Sequence, residues 1–156
     1  MTHLMNRRQF LLHSSATALI SSARAGQFSG KIRKSLKWSM AMKAAKTMTL
    51  TDAFKKLREC GFDGVEPSLL GHVTADNAEE WIAASKASGL IIDGTVGGRV
   101  EGLEAGLDVT KRLGGDSMLV VLAYVNDKPI IQQWNELRDR VKQAAVHAEK
   151  QGIMML

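Results

Sequence analysis

Four residues of types that hold metal ions, move protons or line pockets lie at or near predicted strand ends: Trp38, Glu66, His72 and Asp93. Glu66 directly precedes Pro67, which lacks an N–H and cannot continue a central strand, so Glu66 is predicted to end its strand. Carboxylates and imidazoles are acid–base groups and metal ligands. No short motif joins these residues, so each also has a plainer interpretation. Glu66, His72 and Asp93 would then be hydrogen-bonded loop residues, and Trp38 a core residue.

The segment Gly94-Thr95-Val96-Gly97-Gly98-Arg99 is rich in glycine and lies before a predicted helix. Helix N–H groups bind phosphate in that context. The spacing matches neither G-x-G-x-x-G nor the phosphate-binding loop, whose lysine is missing. A tight turn is therefore the favoured interpretation. No HExxH or CxxC motif occurs, and catalytic residues cannot be assigned from the sequence.

A pattern of helix, glycine and short apolar run occurs four times, with the glycines at Gly61, Gly89, Gly114 and Gly152. Glycine ends helices because it takes positive φ without a Cβ clash. The spacing predicts strands at 34–42, 62–66, 90–96, 117–123 and 153–156, alternating with helices at about 50–60, 74–89, 100–113 and 130–151. The residues of the last helix predicted to face inward are Trp134, Leu137, Val141, Ala145 and Ala148. Such alternation favours a parallel sheet whose ligands bind beyond the C-terminal strand ends.

Residues 1–25 have the features of an export signal and are excluded from the predicted fold. Arg7 and Arg8 precede an apolar, serine-containing stretch, and Ala23-Arg24-Ala25 fits a cleavage site between small residues. The segment resembles a twin-arginine leader, which predicts a periplasmic or secreted protein. The stretch is short for a stable membrane span. Residues 26–33 are predicted to be a linker, and 34–156 the folded domain.

The net charge of +5 is not the footprint of a nucleic-acid-binding protein. Three of the 21 basic residues, and none of the 16 acidic ones, fall within residues 1–25. The remaining chain is close to neutral, and no aromatic run lies between its basic residues to stack on bases.

Several segments in order resemble the sugar phosphate isomerase/epimerase family, part of the xylose-isomerase-like TIM barrel superfamily. They are Gly61-Phe62-Asp63-Gly64-Val65-Glu66-Pro67, Ala87-Ser88-Gly89-Leu90 leading into Gly94-Thr95-Val96, Leu113-Gly114-Gly115-Asp116-Ser117-Met118-Leu119-Val120-Val121 and Ala148-Glu149-Lys150-Gln151-Gly152-Ile153. The resemblance implies a sugar or sugar phosphate ligand. By that resemblance Trp38, Glu66 and Asp93 match positions at the edge of the substrate pocket.

The resemblance also implies a divalent metal (Mn, Mg, Zn or Co), held in the family by carboxylates and a histidine at the ends of strands five to eight. Two glutamates of those strands move a proton beside the sugar carbonyl. This sequence ends at Leu156, where strand five of the family would next supply a ligand. No metal ligand is therefore predicted here, and the chain by itself is expected to bind no metal and to be inactive. The alternative is an exported, non-catalytic small-ligand-binding module or remnant.

The predicted fold is α/β, with parallel (βα) repeats forming the N-terminal half of a TIM barrel. A barrel needs eight strands to close, so a half barrel leaves apolar surface bare and favours self-association. The alternative is an open flavodoxin-like sheet, with strand order 2-1-3-4-5. Only that alternative places strand one between strands two and three.

Overall fold

The computed structural model describes residues 32–98, 102–121 and 127–156. The predicted leader, with Arg7, Arg8, Ala23 and Ala25, and most of the predicted linker lie outside these residues. The strands are β1 (Ser35–Lys37), β2 (Gly64–Glu66), β3 (Ile91–Ile92), β4 (Gly94–Gly98), β5 (Ser117–Val120) and β6 (Met154–Met155). The helices are α1 (Trp38–Ala45), α2 (Leu50–Glu59), α3 (Ala78–Ser88), α4 (Leu103–Leu113) and α5 (Ile130–Gln151). None of the described helices combines the length and apolar character needed to cross a membrane.

The strands pair in parallel and in chain order, as two sheets that meet at Asp93. One sheet has the order β1-β2-β3 and the other β4-β5-β6. The Asp93 N–H donates to the Val65 carbonyl at 3.1 Å, and the Asp93 carbonyl accepts from the Asp116 N–H at 3.0 Å. A further parallel bridge joins Ser68 to Val96. Because β1 lies at an edge and not between β2 and β3, the partial barrel is confirmed and the flavodoxin-like order is wrong.

Glycines end the helices where the sequence predicted. Gly89, Gly114 and Gly152 take left-handed φ values of 70°, 85° and 67° at the C-terminal caps of α3, α4 and α5. At the N-terminal end of α2, the Thr49 hydroxyl accepts a hydrogen bond from the Asp52 N–H at 3.1 Å. Local chemistry therefore determines these four helix ends, and a side-chain cap such as that of Thr49 contributes about 1 kcal/mol.

The first strand is shorter than predicted, because α1 begins at Trp38. The prediction of a strand over 34–42 rested on alternating apolar residues, yet Met40 and Met42 are exposed. The buried positions are Trp38 and Ala41, which have helical spacing. The segment after Trp38 is rich in alanine and methionine, which favour helix. The strand therefore stops at Lys37.

Smaller corrections concern α3, the glycine-rich segment and α5. Helix α3 begins at Ala78 and not near Thr74, whose N–H instead donates to the Asn77 side chain at 2.8 Å. The segment Gly94–Gly98 is a strand with an irregularity between Val96 and Gly98, so the tight turn is wrong for these five residues, and Arg99 lies outside the described residues. Trp134, which was predicted to face inward, is 61% exposed. The buried positions of α5 are Gln133, Ala144 and Ala148.

The apolar core lies between the sheets and the helices. One cluster joins α1, α2 and α3 to the first sheet, and the other joins α4 and α5 to the second sheet. The opposite face, which is the concave one in a barrel, is not covered by the core clusters of the described helices. Its apolar side chains are exposed: Ile91, Leu119, Val121, Met154 and Leu156. At β5 the two faces alternate: Met118 is fully buried against the helices, whereas Leu119 and Val121 are exposed on the concave face.

Candidate functional site

Asp93 lies on the concave face, close to the start of β2. A Cβ atom built on Gly64 would lie 3.1 Å from the Asp93 Cβ and 2.5 Å from the Ser35 Oγ. Only glycine leaves room for these neighbours, so Gly64, Ser35 and Asp93 share one face of the first sheet. Asp93 is half-buried there. Because β4 continues from Gly94 to Gly98, Asp93 lies below the C-terminal edge of the sheet.

Glu66 ends β2, as predicted, and is paired in register with Lys37, which ends β1. Paired residues of neighbouring parallel strands present their side chains on the same face. Glu66 is half-buried and Lys37 is exposed. Within the described residues neither side chain has a recorded ion pair or hydrogen bond. The C-terminal ends of β1 and β2 therefore present one cationic and one anionic group without a protein partner in that part of the chain.

His72 lies in the segment that follows β2 and is held there by three hydrogen bonds. Its Nδ1 atom accepts from the Ser68 N–H at 3.3 Å. The His72 N–H donates to the Ser68 carbonyl at 3.2 Å, and its own carbonyl accepts from the Asn77 side chain at 2.9 Å. The Ser68 pairing with Val96 anchors the beginning of this segment to β4. The imidazole is therefore fixed against the peptide group of Ser68, two residues past Glu66.

Trp38 is placed apart from Glu66 and Asp93. It is 8% exposed and lies in the core between the helices and the sheet. Its ring makes edge-to-face contacts with Phe54 and Trp81, with centroids 5.7 and 5.4 Å away. Such pairs contribute packing energy beyond the burial of their area. The plainer interpretation of Trp38, as a core residue, thus describes its position, and its role in substrate binding stays a prediction.

A cavity of about 500 Å³ lies elsewhere, between the segment after β2 and helix α4. Its walls are mostly apolar and include Leu70, Val73, Ala105, Gly106 and Val109. Neither Glu66 nor Asp93 lines it. The cavity borders the core and does not include the predicted site residues.

The described residues do not form a metal centre. No three histidine, cysteine, aspartate or glutamate side chains within them lie close enough together to hold an ion. Glu66, His72 and Asp93 come from one end of the first sheet but do not converge as a ligand set. The donor set implied for a divalent metal is therefore not provided by these residues, and no step of the chemistry is assigned to a metal here.

The arrangement of strands is found in solved structures of similar architecture. A sugar phosphate isomerase/epimerase from Parabacteroides distasonis is 14% identical, with a TM-score of 0.58 over 79% of this chain and 49% of that protein. The IOLI protein with a bound zinc atom is 10% identical, with a TM-score of 0.62 over 80% and 50% of the two chains. A D-allulose 3-epimerase from Methylomonas is 16% identical, with a TM-score of 0.57 over 68% and 44%.

The chain has a partial (βα) barrel fold that is similar to the fold of these structures. It spans about half the length of the structures that it matches. No protein-family model matches the sequence, and no curated protein is significantly similar to it. At these identities the similarity establishes the fold, as the resemblance predicted.

The sequence correctly placed Glu66 at a strand end, whereas Asp93, predicted to lie within a strand over 90–96, falls between β3 and β4. It did not single out Lys37, because its place opposite Glu66 depends on the register between β1 and β2. The feature that indicated His72 as a candidate site residue in the sequence was its position after a strand end. The bond from the Ser68 N–H could not be foreseen, because it depends on where β1 stops.

Proposed function

We propose that this partial barrel belongs to a sugar or sugar phosphate isomerase/epimerase and binds its ligand at the C-terminal ends of β1 and β2. The observation that carries the proposal is the position of Glu66 on the concave face, at the edge where parallel α/β barrels bind ligands. Carboxylate oxygens accept hydrogen bonds from sugar hydroxyl groups. The solved structures with this fold include a sugar phosphate isomerase/epimerase and a D-allulose 3-epimerase, which supports the same ligand class for this chain.

We also propose that the 156-residue chain alone does not turn over such a ligand. Epimerisation needs a base placed to remove the proton from the carbon beside the carbonyl, and a group that stabilises the oxyanion that then develops. The chain spans about half the length of the proteins with this fold. Glu66 and Asp93 would then contribute to ligand binding, and proton transfer would need residues from the rest of a barrel.

The test combines a binding measurement with an activity measurement on the purified chain. Saturation-transfer NMR with D-fructose and D-allulose should detect binding, with a weaker signal for Glu66→Gln. Glu104→Gln, which changes an exposed carboxylate in the first turn of α4, is the matched control. No interconversion of the two sugars is expected with Mn²⁺ or Mg²⁺ added. Failure to bind these sugars and also D-fructose 6-phosphate would contradict the ligand class, and measurable turnover would contradict the proposed inactivity.

Two further proposals concern the whole chain. The exposed apolar residues of the concave face support self-association through that face. The twin-arginine-like segment supports export to the periplasm or the medium. Both are tested by experiments described in the Discussion.

A further inference from the structure

We infer that Lys37 and His72 form an anion-binding pair beside Glu66, which makes the ligand a sugar carrying a phosphate group. This inference rests on the proposed function and assigns two residues to the same site. It begins with the direction of one peptide group, the N–H of Ser68.

The Ser68 N–H points away from β4. The Pro67 carbonyl accepts from the Val96 N–H at 3.0 Å, and the Leu69 N–H donates to the Val96 carbonyl at 2.9 Å. Both neighbours of Ser68 therefore direct peptide groups to β4. Because peptide groups alternate sides along a strand, the Ser68 N–H points to the side on which β1 lies.

Strand β1 cannot provide an acceptor there, because it ends at Lys37 and the chain continues as α1. His72 provides the acceptor instead, through Nδ1. A neutral imidazole that accepts at Nδ1 carries its proton on Nε2. His72 is half-buried, and no partner of its Nε2 is recorded within the described residues. The ring is thus oriented by the main chain and retains a free donor.

The register of β1 and β2 places the segment that holds this donor at the same end of the first sheet as Lys37 and Glu66. Lys37 and Glu66 are opposite each other in the ladder, and Ser68 lies two residues beyond Glu66, or about 7 Å along the strand. An ammonium and an imidazole N–H both donate to phosphate oxygens. The Glu66 carboxylate repels phosphate but accepts from sugar hydroxyl groups. The three groups therefore fit a ligand with an anionic end and a hydroxylated end.

The experiment measures binding of three probes to the purified 156-residue chain: D-fructose 6-phosphate, D-fructose and inorganic phosphate. The phosphorylated sugar should bind about tenfold more tightly than D-fructose, which corresponds to about 1.4 kcal/mol. Inorganic phosphate should bind more weakly than the phosphorylated sugar. Nitrogen-detected NMR should show the His72 proton on Nε2 in the free chain and a shift of that signal on addition of D-fructose 6-phosphate.

Two variants and one control assign the effect to the residues. His72→Asn keeps an acceptor for the Ser68 N–H and removes the distal donor, and Lys37→Gln removes the ammonium. Each variant should bind D-fructose 6-phosphate about fivefold or more weakly than wild type and bind D-fructose with unchanged affinity. Lys43→Gln changes an exposed lysine of α1 and should leave the affinity for both sugars unchanged. If His72→Asn does not fold, Lys37→Gln and the wild-type NMR signal still test the assignment.

The outcomes separate this inference from the proposed function. Equal affinity for the two sugars, equal affinity for inorganic phosphate and the phosphorylated sugar, or an equal loss in Lys43→Gln would overturn the anion-binding pair. Absence of binding by wild type to D-fructose and to D-fructose 6-phosphate would instead count against the proposed function.

Discussion

Gly64 and Asp93 pack so closely that a Cβ atom on residue 64 would lie 3.1 Å from the Asp93 Cβ. The same atom would lie 2.5 Å from the Ser35 Oγ, a distance that real Cβ atoms do not tolerate. Gly64→Ala must therefore displace β1 or the segment around Asp93. We expect a loss of about 1–3 kcal/mol in the free energy of unfolding, measured by urea denaturation.

Ser35→Ala provides the matched control for this prediction. The Ser35 Oγ is buried without a hydrogen-bond partner in the described structure, so its removal alone should cost little. In the double variant, the closest contact disappears and part of the lost stability should return. A Gly64→Ala protein as stable as wild type would contradict the close packing of Gly64 against Ser35 and Asp93.

Thr95 and Thr110 form a buried hydroxyl pair between β4 and α4, with the two oxygens 2.6 Å apart. The Thr110 hydroxyl donates to the Gly106 carbonyl at 2.8 Å, so the Thr95 hydroxyl is the donor within the pair. Thr110→Val therefore leaves a buried donor without an acceptor, at a cost of about 1–3 kcal/mol. Thr95→Val should cost less, because Thr110 keeps its bond to Gly106.

A double-mutant cycle by thermal or urea unfolding measures this asymmetry. In the double variant both hydroxyl groups are absent, so its loss should be smaller than the sum of the two single losses. Equal losses in the two single variants would mean that the donor assignment is wrong.

Asp63 should make the fold sensitive to acid. The Lys34 N–H, followed by the Arg58 guanidinium, holds the pKa of the Asp63 carboxyl below its ordinary value of 3.8. A carboxyl with a lowered pKa in the folded state stabilises the fold above pH 3.8, and this contribution is lost as the pH falls through the folded-state pKa. The melting temperature of wild type should therefore fall more steeply below pH 3.8 than that of Asp63→Asn.

Asp76→Asn is the control for this measurement, because Asp76 is exposed and has no recorded bond within the described residues. Its melting temperature should follow that of wild type across the acid range. Parallel curves for wild type and Asp63→Asn would contradict the role of Asp63.

The concave face should drive self-association of the isolated chain. Met154 and Leu156 are 63% and 61% exposed at the outer strand of the second sheet. Light scattering at increasing concentration should show association or poor solubility, reduced by Met154→Lys or Leu156→Lys, because lysine opposes pairing at a sheet edge. Val146→Lys changes an exposed residue of α5 and should have no effect. A monodisperse monomer of wild type would refute this prediction.

Export should depend on Arg7 and Arg8. Lysine does not replace the planar guanidinium where its geometry is recognised, so the Arg7→Lys/Arg8→Lys precursor should remain in the cytoplasm. Cell fractionation and N-terminal sequencing of wild type should find a periplasmic product that begins at Gly26. An exported double-lysine variant, or an exported wild type that retains Met1, would disprove the leader.

The sequence by itself determined the alternation of strands and helices and most helix ends. Its signals are local: glycines that take positive φ at Gly89, Gly114 and Gly152, a threonine cap at Thr49, and Pro67 after Glu66. Local signals depend on a few neighbouring residues, so they can be interpreted without knowing the fold. Alternating units with apolar strands then leave few topologies, of which the sequential parallel order was the one observed.

Tertiary structure decided which side chains meet. Trp38 packs against Phe54 and Trp81, residues distant in the chain, and the segment after it forms α1 where alternation had predicted strand. That early end of β1 leaves the Ser68 N–H without a strand partner and brings His72 to it. The closeness of Asp93 to Gly64 likewise depends on the register between β2 and β3. Contacts of this kind arise from pairing and packing between distant segments, whose energies no local pattern contains.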